Sequence, residues 1–200
     1  MCEQESFFKT EEQVKGFKRQ TYFELIKPIQ RAGFKQFSDW LHVNTDFLNA
    51  PASTRFHGAE KGGLLNHSLR VYYNLLNLTK HSEYSIDTIK IIALYHDICK
   101  ANFYEESQKN VKDKKSGQWK SVPYYTINEQ YPFGAHGAKS VYLIMAHGLH
   151  LTEEEAAAIN SHMGGWDYTN YHNPSNTFEK YPLAVYLHIA DMLASYIDKS

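Results

Sequence analysis

The sequence predicts an all-α fold with a small inserted β-hairpin or flap. Apolar residues recur at helical spacing through most of the 200 residues, and long strand-like alternation is nearly absent. With 42% hydrophobic and 14% aromatic residues, the chain can bury a sizeable core. One lysine-rich segment departs from the helical pattern. We therefore expect a helical bundle that one short β element interrupts.

The first 49 residues predict a helical extension that packs on the main domain. The segments "EEQVKGFKRQTYFELI" and "FKQFSDWLHV" have helical patterns, and Pro28 and Gly33 favour a break between them. The main domain is then expected to span residues 50–200.

Five helices are expected to form the body of this domain. They correspond to "LLNHSLRVYYNLLNLTK" after a glycine pair, "SIDTIKIIALYHDICK", "HGAKSVYLIMAH", a segment from Thr152 to "HMGG", and "LAVYLHIADMLASYI". Ser85 is a candidate N-cap, and Thr152 and Glu155 have the spacing of a capping box. Pro182 suits the first turn of the last helix. Each helix therefore has a periodic apolar face, and three of them have recognisable start signals.

The insertion, at about residues 105–134, reads "EESQKNVKDKKSGQWKSVPYYTINEQYPFG". Its Ser-Gly turn signal and the aromatics that follow predict a β-hairpin or flap. Two interpretations stay open, a solvated loop and a lid that covers a substrate.

Charge and cysteine content favour a cytoplasmic protein without a membrane partner. The formal charge is −1, from 21 basic and 22 acidic residues, so no overall basic field attracts nucleic acid or anionic lipid. Cys2 and Cys99 provide no disulfide framework, which fits a reducing compartment. The chain shows neither a secretory leader pattern nor an apolar run long enough to span a membrane.

Three segments place imidazole or carboxylate groups among apolar residues: His67, the doublet His96 and Asp97, and Asp191. Alone, His67 would be read as a hydrogen-bonded core residue, and Asp191 as a buried salt-bridge partner. Together they are easier to explain, because an ionised carboxylate in apolar surroundings needs a partner. A cation held between the helices would provide one.

This order of residues resembles the HD superfamily of metal-dependent phosphohydrolases, with His67, the His96–Asp97 doublet and Asp191 on separate helices. The resemblance covers about residues 50–198. The segments "APASTRFHGAEKGGLLNHSLRV" and "LYHDICK" resemble the HD domain of bacterial 3′-to-5′ exoribonucleases and their relatives. Two features depart from that pattern. Cys99 replaces the commoner glycine, and no nucleic-acid-binding OB domain fits in the first 50 residues.

The resemblance implies a helical HD-domain bundle whose metal ligands are His67, His96, Asp97 and Asp191. This mixed nitrogen and oxygen set suits Mn, Fe, Co, Ni or Zn. His136 and His162 have the chain order of ligands for a second ion, with Asp97 as the bridge. They are equally candidates for binding a phosphate or acting as acids.

Several further residues are candidates for catalysis or substrate binding. Asp97 and Lys100 are the catalytic candidates, although Lys100 would also suit the C-terminal end of a helix as a cation. Lys61, Arg55 and His57 are candidates for substrate contacts.

Three functions are compatible with this pattern. The first is hydrolysis of a phosphoester or phosphoanhydride bond in a nucleotide or similar small molecule by metal-activated water. The second is a 3′-to-5′ exonuclease or phosphodiesterase on single-stranded nucleic acid. The third is a non-catalytic regulatory module that binds a nucleotide. A homodimer is left open.

Overall fold

The computed structural model describes residues 11–55, 58–128, 135–166 and 174–198. The helices and strands in chain order are α1 Glu11–Ile26, α2 Phe34–Asn44, α3 Gly63–Leu78, α4 Ile86–Tyr95, β1 Tyr104–Lys112, β2 Trp119–Ile127, α5 His136–Ala146, α6 Glu153–Ser161, α7 Ser175–Lys180 and α8 Pro182–Met192. Short 3₁₀ turns at Ile98–Lys100 and Gly164–Trp166, and a π-helical turn at Leu193–Ile197, complete the described elements. The predicted fold class is confirmed.

The start signals in the sequence act as expected. Ser85 Oγ accepts a hydrogen bond from Thr88 N at 3.1 Å. Thr152 and Glu155 form both bonds of a capping box, at 3.2 and 2.9 Å. Pro182 occupies the first turn of α8. These local bonds satisfy backbone donors that the first turn of a helix leaves unpaired, so they fix where the helices begin.

Helix α4 ends earlier than its sequence pattern predicts. The pattern runs through "YHDICK", but the helix ends at Tyr95, and Asp97 leaves helical geometry at φ −108° and ψ 19°. A 3₁₀ turn over Ile98–Lys100 then redirects the chain. The His96–Asp97 doublet therefore lies at the end of a buried helix instead of within one.

The core lies around α3 and α4, with α6 and α8 packed against them. Helix α4 is buried along almost its whole length, including Ile91, Ile92 and Leu94 at 0% exposure. Tyr22 from α1 reaches this core, and its hydroxyl lies 3.1 Å from that of Tyr95. Helices α1 and α2 thus belong to the same hydrophobic cluster as α3, α4 and α8.

A charged network joins the α1–α2 connection to α6. The Arg31 guanidinium donates to both Glu155 oxygens, at 2.7 and 2.9 Å, and Thr88 Oγ1 donates to Glu155 at 2.7 Å. Burial by itself would raise the pKa of Glu155, but the Arg31 hydrogen bonds outweigh it and hold that pKa below its usual value. This network therefore fixes the first two helices to the bundle.

The insertion is an antiparallel hairpin, paired from Tyr104 opposite Ile127 to Lys112 opposite Trp119. Most of its side chains are exposed. Asn102, at φ +56°, turns the chain into β1, and its side chain accepts from Asp46 N at 2.9 Å. Residues 129–134 of the predicted insertion lie outside the described residues. No helix of the described chain is long and apolar enough to cross a membrane.

Candidate metal centre

Four helices carry the imidazole and carboxylate groups of the candidate site. His67 lies in the second turn of α3, and His96 and Asp97 follow α4. His162 follows α6, and Asp191 lies near the end of α8. Left-handed backbone at Gly62, with φ +82°, starts α3. A Cβ on Gly63 would lie 2.0 Å from the Gly58 carbonyl oxygen, so a glycine is required there.

The side chains form two overlapping groups, each with ligand atoms within 4.8 Å of one another. The first group is His67, His96 and Asp191. His67 Nε2 lies 3.2 Å from His96 Nε2 and 3.1 Å from Asp191 Oδ1. The second is His96, Asp97 and His162. In it, Asp97 Oδ2 lies 3.5 Å from His96 Nε2, and Asp97 Oδ1 lies 3.4 Å from His162 Nε2. The two groups share His96.

These groups are buried. His67, His96, Asp97 and His162 are between 0 and 3% exposed, and only the Asp191 side chain reaches the surface, at 14%. Asp97 Oδ1 and His162 Nε2 have no hydrogen-bond partner among the described residues. Buried polar atoms without a partner cost about 1–3 kcal/mol each. An ion between them would remove this cost.

Backbone carbonyls determine which ring nitrogens face the site. His96 Nδ1 lies 2.9 Å from Ala93 O, and His162 Nδ1 lies 2.6 Å from Ile159 O. A carbonyl oxygen only accepts, so Nδ1 carries the proton and Nε2 of a neutral ring presents a lone pair. At His162 this lone pair faces a carboxylate oxygen, an arrangement that repels unless His162 is protonated or a cation lies between the two. A backbone carbonyl that accepts from Nδ1 is a common way to orient a metal-binding histidine, and both rings have one. The residues present therefore fit a divalent metal.

The mutual charges of the site shift its pKa values. Burial lowers the pKa of His67, although Asp191 opposes this shift. Burial also acts on His162, but contact with Asp97 outweighs it and raises the pKa of that imidazole. Burial would raise the pKa of Asp97, yet Lys100 and His96 hold it well below its usual range. Both carboxylates stay ionised near neutral pH, because contact with His67 likewise keeps the pKa of Asp191 low against its burial.

Lys100 and Cys99 border the second group. Lys100 Nζ lies 2.5 Å from Asp97 Oδ2, and its side chain is 13% exposed. Its burial is offset by Asp97, which raises the pKa of Lys100. Burial raises the pKa of the Cys99 thiol to about 12, so Cys99 is a neutral packing residue. Lys100 therefore supplies the positive charge beside Asp97 in the described structure.

The structure places the other predicted site residues elsewhere. His136 is exposed at the start of α5, outside both groups, with Nδ1 at 3.5 Å from Cys99 Sγ. Arg55 is exposed, and Lys61 lines a cleft beside α1. His57 lies outside the described residues. Of the two histidines predicted as extra ligands, only His162 lies in a described ligand group.

Two residues that support the site were assigned no role from the sequence. His188 Nδ1 donates to the carbonyl oxygen of His162 at 2.6 Å, and Ser195 Oγ donates to Asp191 Oδ1 at 3.2 Å. The His188 ring stacks on Phe178 at 5.7 Å. A Cβ on Gly164 would lie 2.7 Å from this ring, and φ there is +58°. The spacing of Ser195, one turn after Asp191, was a readable signal; the position of His188 was not.

Comparison with protein families identifies the chain. The HD domain model matches residues 64–196, well over half of the chain, and the matched segment contains all five residues of the two ligand groups. The protein therefore belongs to the HD domain family, which is typical of metal-dependent phosphohydrolases. Comparisons with curated proteins and with solved structures gave no significant match. The narrower resemblance to bacterial exoribonucleases is not confirmed.

Proposed function

We propose that the protein is a metal-dependent phosphohydrolase that cleaves a phosphoester or phosphoanhydride bond of a nucleotide or similar small phosphorylated molecule. The observation that carries this proposal is the position of Asp97. One of its oxygens faces His96, and the other faces His162. A carboxylate between two sets of imidazoles suits one divalent ion or a pair of ions that share it.

His67, His96 and Asp191 would hold one ion, and His96 or Asp97 with His162 would hold a second. A divalent ion held there would supply a water molecule acidic enough to attack near neutral pH and would stabilise charge on the phosphoryl oxygens. The ligand set of nitrogen and carboxylate oxygen favours Mn, Fe, Co, Ni or Zn.

The protein's own residues orient and charge the site. The carbonyls of Ala93 and Ile159 fix the rings of His96 and His162. Lys100 holds Asp97 Oδ2 and is partly exposed, so its ammonium can also meet a phosphoryl oxygen that enters from solvent. The apolar core around α4 excludes water from behind the ligands, which strengthens these charge interactions.

The formal charge of −1 supports a small substrate, because the chain as a whole has no field that would concentrate a long polyanion.

The hairpin supports the second candidate, a nuclease or phosphodiesterase on single-stranded nucleic acid. Its exposed lysines are Lys109, Lys112, Lys114, Lys115 and Lys120. If these contact phosphates, activity on oligonucleotides will fall steeply with salt.

The experiment is a substrate panel. Release of phosphate or nucleoside is measured from nucleoside mono- and triphosphates, cyclic dinucleotides and short RNA and DNA oligomers, with Mn, Co, Ni, Mg or Zn added. Wild type is compared with Asp97→Ala and with Asp39→Ala, which removes an exposed carboxylate from α2. We expect one substrate class to be hydrolysed by wild type and Asp39→Ala and not by Asp97→Ala.

Each other outcome has a distinct meaning. Turnover of oligomers alone would replace the proposed substrate class with nucleic acid. Metal binding without turnover of any substrate would contradict the hydrolase and favour a regulatory module that binds a nucleotide.

A further inference from the structure

A basic cleft lies beside α1, and nothing in the proposed chemistry uses it. Its cations come from two distant parts of the chain: Lys15, Lys18 and Arg19 from α1, and Lys61 from the loop before α3. The α1 cleft has a narrow floor of about 50 Å³, at Lys18 and Leu65, and a wide, open mouth of about 670 Å³, at Lys15, Arg19 and Lys61. Among the described residues that line it, the one acid is Glu12, at the mouth. Convergence of four cations on one concave surface focuses a positive potential there.

One cation of the α1 cleft has a defined hydrogen-bond partner. Arg19 Nη2 donates to Asn49 Oδ1 at 2.6 Å, which joins α1 to the chain that leads into α3. A guanidinium held by one of its five N–H groups keeps the planar fork that pairs with phosphate oxygens, and lysine adds point charges around it. Anions with several phosphate oxygens match this donor set better than a single carboxylate does.

The α1 cleft is separate from the candidate metal centre. Leu65 forms part of its floor, and His67 follows two residues later on the same helix. Two residues in an α-helix are about 200° apart around the axis, so Leu65 and His67 lie on opposite sides of α3. Lys61, which lines the same cleft as Leu65, therefore lies on the α1 side of α3 and away from the metal-ligand candidates.

We infer that the α1 cleft is a second binding site, which takes the phosphate groups of a polyphosphorylated ligand. The ligand's phosphates have two sources of the same chemistry, a small polyphosphate such as a nucleoside triphosphate and the backbone of a single-stranded nucleic acid. The inference does not depend on the proposed hydrolysis, because the cations of the cleft bind phosphate without a metal.

The test uses the full chain stripped of metal with a chelator, so that the metal centre cannot bind a phosphate through an ion. Tripolyphosphate binding is measured by titration calorimetry. Binding of a fluorescent oligothymidylate of about 12 nucleotides, within the usual range of site sizes, is measured by anisotropy. Salt is kept at about 50 mM, where phosphate contacts are strong. Competition between the two probes shows whether they share the cleft.

The decisive variant is Lys61→Glu, and its matched control is Lys80→Glu, the same charge change at an exposed lysine beyond α3. We expect Lys61→Glu to lower the affinity for the probe about tenfold or more, because repulsion replaces a charge-assisted hydrogen bond to phosphate. Lys80→Glu should change affinity less than about twofold, since its charge is distant and screened. Both residues are exposed, and thermal unfolding checks that each variant folds.

Each ligand source predicts a different result. Tighter binding of tripolyphosphate supports the inference with a small ligand, and binding of the oligonucleotide alone supports it with nucleic acid. Equal weakening by the two variants would overturn the inference, and so would the failure of both probes to bind. A loss of metal-dependent turnover in Lys61→Glu without a change in probe binding would also overturn it, by placing Lys61 at the metal centre. The proposed hydrolase would survive any of these three.

Discussion

Replacing Lys100 by methionine tests whether Asp97 depends on a neighbouring positive charge. Lys100 Nζ lies 2.5 Å from Asp97 Oδ2, in a pair whose side chains are 13 and 3% exposed. Removing one partner of a buried ion pair costs about 3–5 kcal/mol. Because Lys100 is at the rim and water can relax around it, we expect about 3 kcal/mol. In a chain of this size that lowers Tm by about 6–12 °C.

An added metal should compensate for this loss. Lys100 repels a cation bound at Asp97, so its removal should raise the affinity for Mn²⁺ by about tenfold, or about 1.4 kcal/mol. Metal at a fixed concentration will then raise the Tm of Lys100→Met more than that of wild type, because ligand that binds only the folded state stabilises it. Differential scanning calorimetry with and without Mn²⁺ measures both effects.

The chain supplies a matched control for this experiment. Lys35 and Asp39 form a pair at the same 2.5 Å distance, but their side chains are 88 and 64% exposed. Lys35→Met should change stability by less than about 1 kcal/mol, and metal should raise its Tm by the same amount as that of wild type. If Lys100→Met behaves like Lys35→Met, or if metal raises both Tm values equally, then Asp97 does not link Lys100 to a metal centre.

Three further changes test the residues that support the site. Arg31→Met should lower the free energy of unfolding by about 3 kcal/mol at pH 7. Because the folded pKa of Glu155 is depressed, the stabilisation from the Arg31–Glu155 pair is present above about pH 4.5 and is lost as the pH falls through the folded pKa. The free energy of unfolding of the variant, measured with urea, should therefore depend less on pH below about 4.5 than that of wild type. His188→Leu should weaken metal binding about 10- to 100-fold in calorimetric titrations, because it removes the donor to His162 O, whereas His188→Asn, which keeps an N–H at that position, should restore much of the affinity. Gly164→Ala should cost about 1–3 kcal/mol in denaturant unfolding from its left-handed backbone, and wild-type metal affinity in this variant would show that His188 need not stay in place.

The helices were readable from the sequence because their signals are local. Apolar spacing and the caps at Ser85 and Thr152 depend on residues within one or two turns, and the structure forms the same bonds. The early end of α4 at Tyr95 was not readable, because "YHDICK" continues the apolar pattern while the chain turns at Asp97. The short helix Ser175–Lys180 was missed, since six residues give too little periodicity to detect.

The sequence predicts the part of the candidate site whose residues can be recognised by their order in the chain and their apolar neighbours. His67, His96, Asp97 and Asp191 stand out as polar groups within apolar helices, and the structure brings them together. The sequence did not distinguish His162 from His136, because both lie between the His96–Asp97 doublet and Asp191 in the chain. Their difference arises from tertiary placement: His162 caps a buried helix end, whereas His136 begins α5 at the surface.

The support from His188 and the α1 cleft depended on contacts between distant segments. His188 Nδ1 donates to the carbonyl oxygen of His162, 26 residues away in the chain, and Lys61 lines the same cleft as the distant Arg19. No periodic pattern encodes such contacts, so they emerged only once α8 packed on α6 and α1 on α3.

The most direct test of a metal centre is a calorimetric titration of the metal-free protein with Mn²⁺, Co²⁺, Ni²⁺ and Zn²⁺, with wild type beside Asp97→Asn. Asp97→Asn keeps the side-chain shape and removes the charge that both ligand groups face. A metal centre at these residues predicts one or two equivalents bound by wild type and affinity about 100-fold weaker in the variant. Equal affinity in the two proteins, or no binding by a folded wild type, would contradict it.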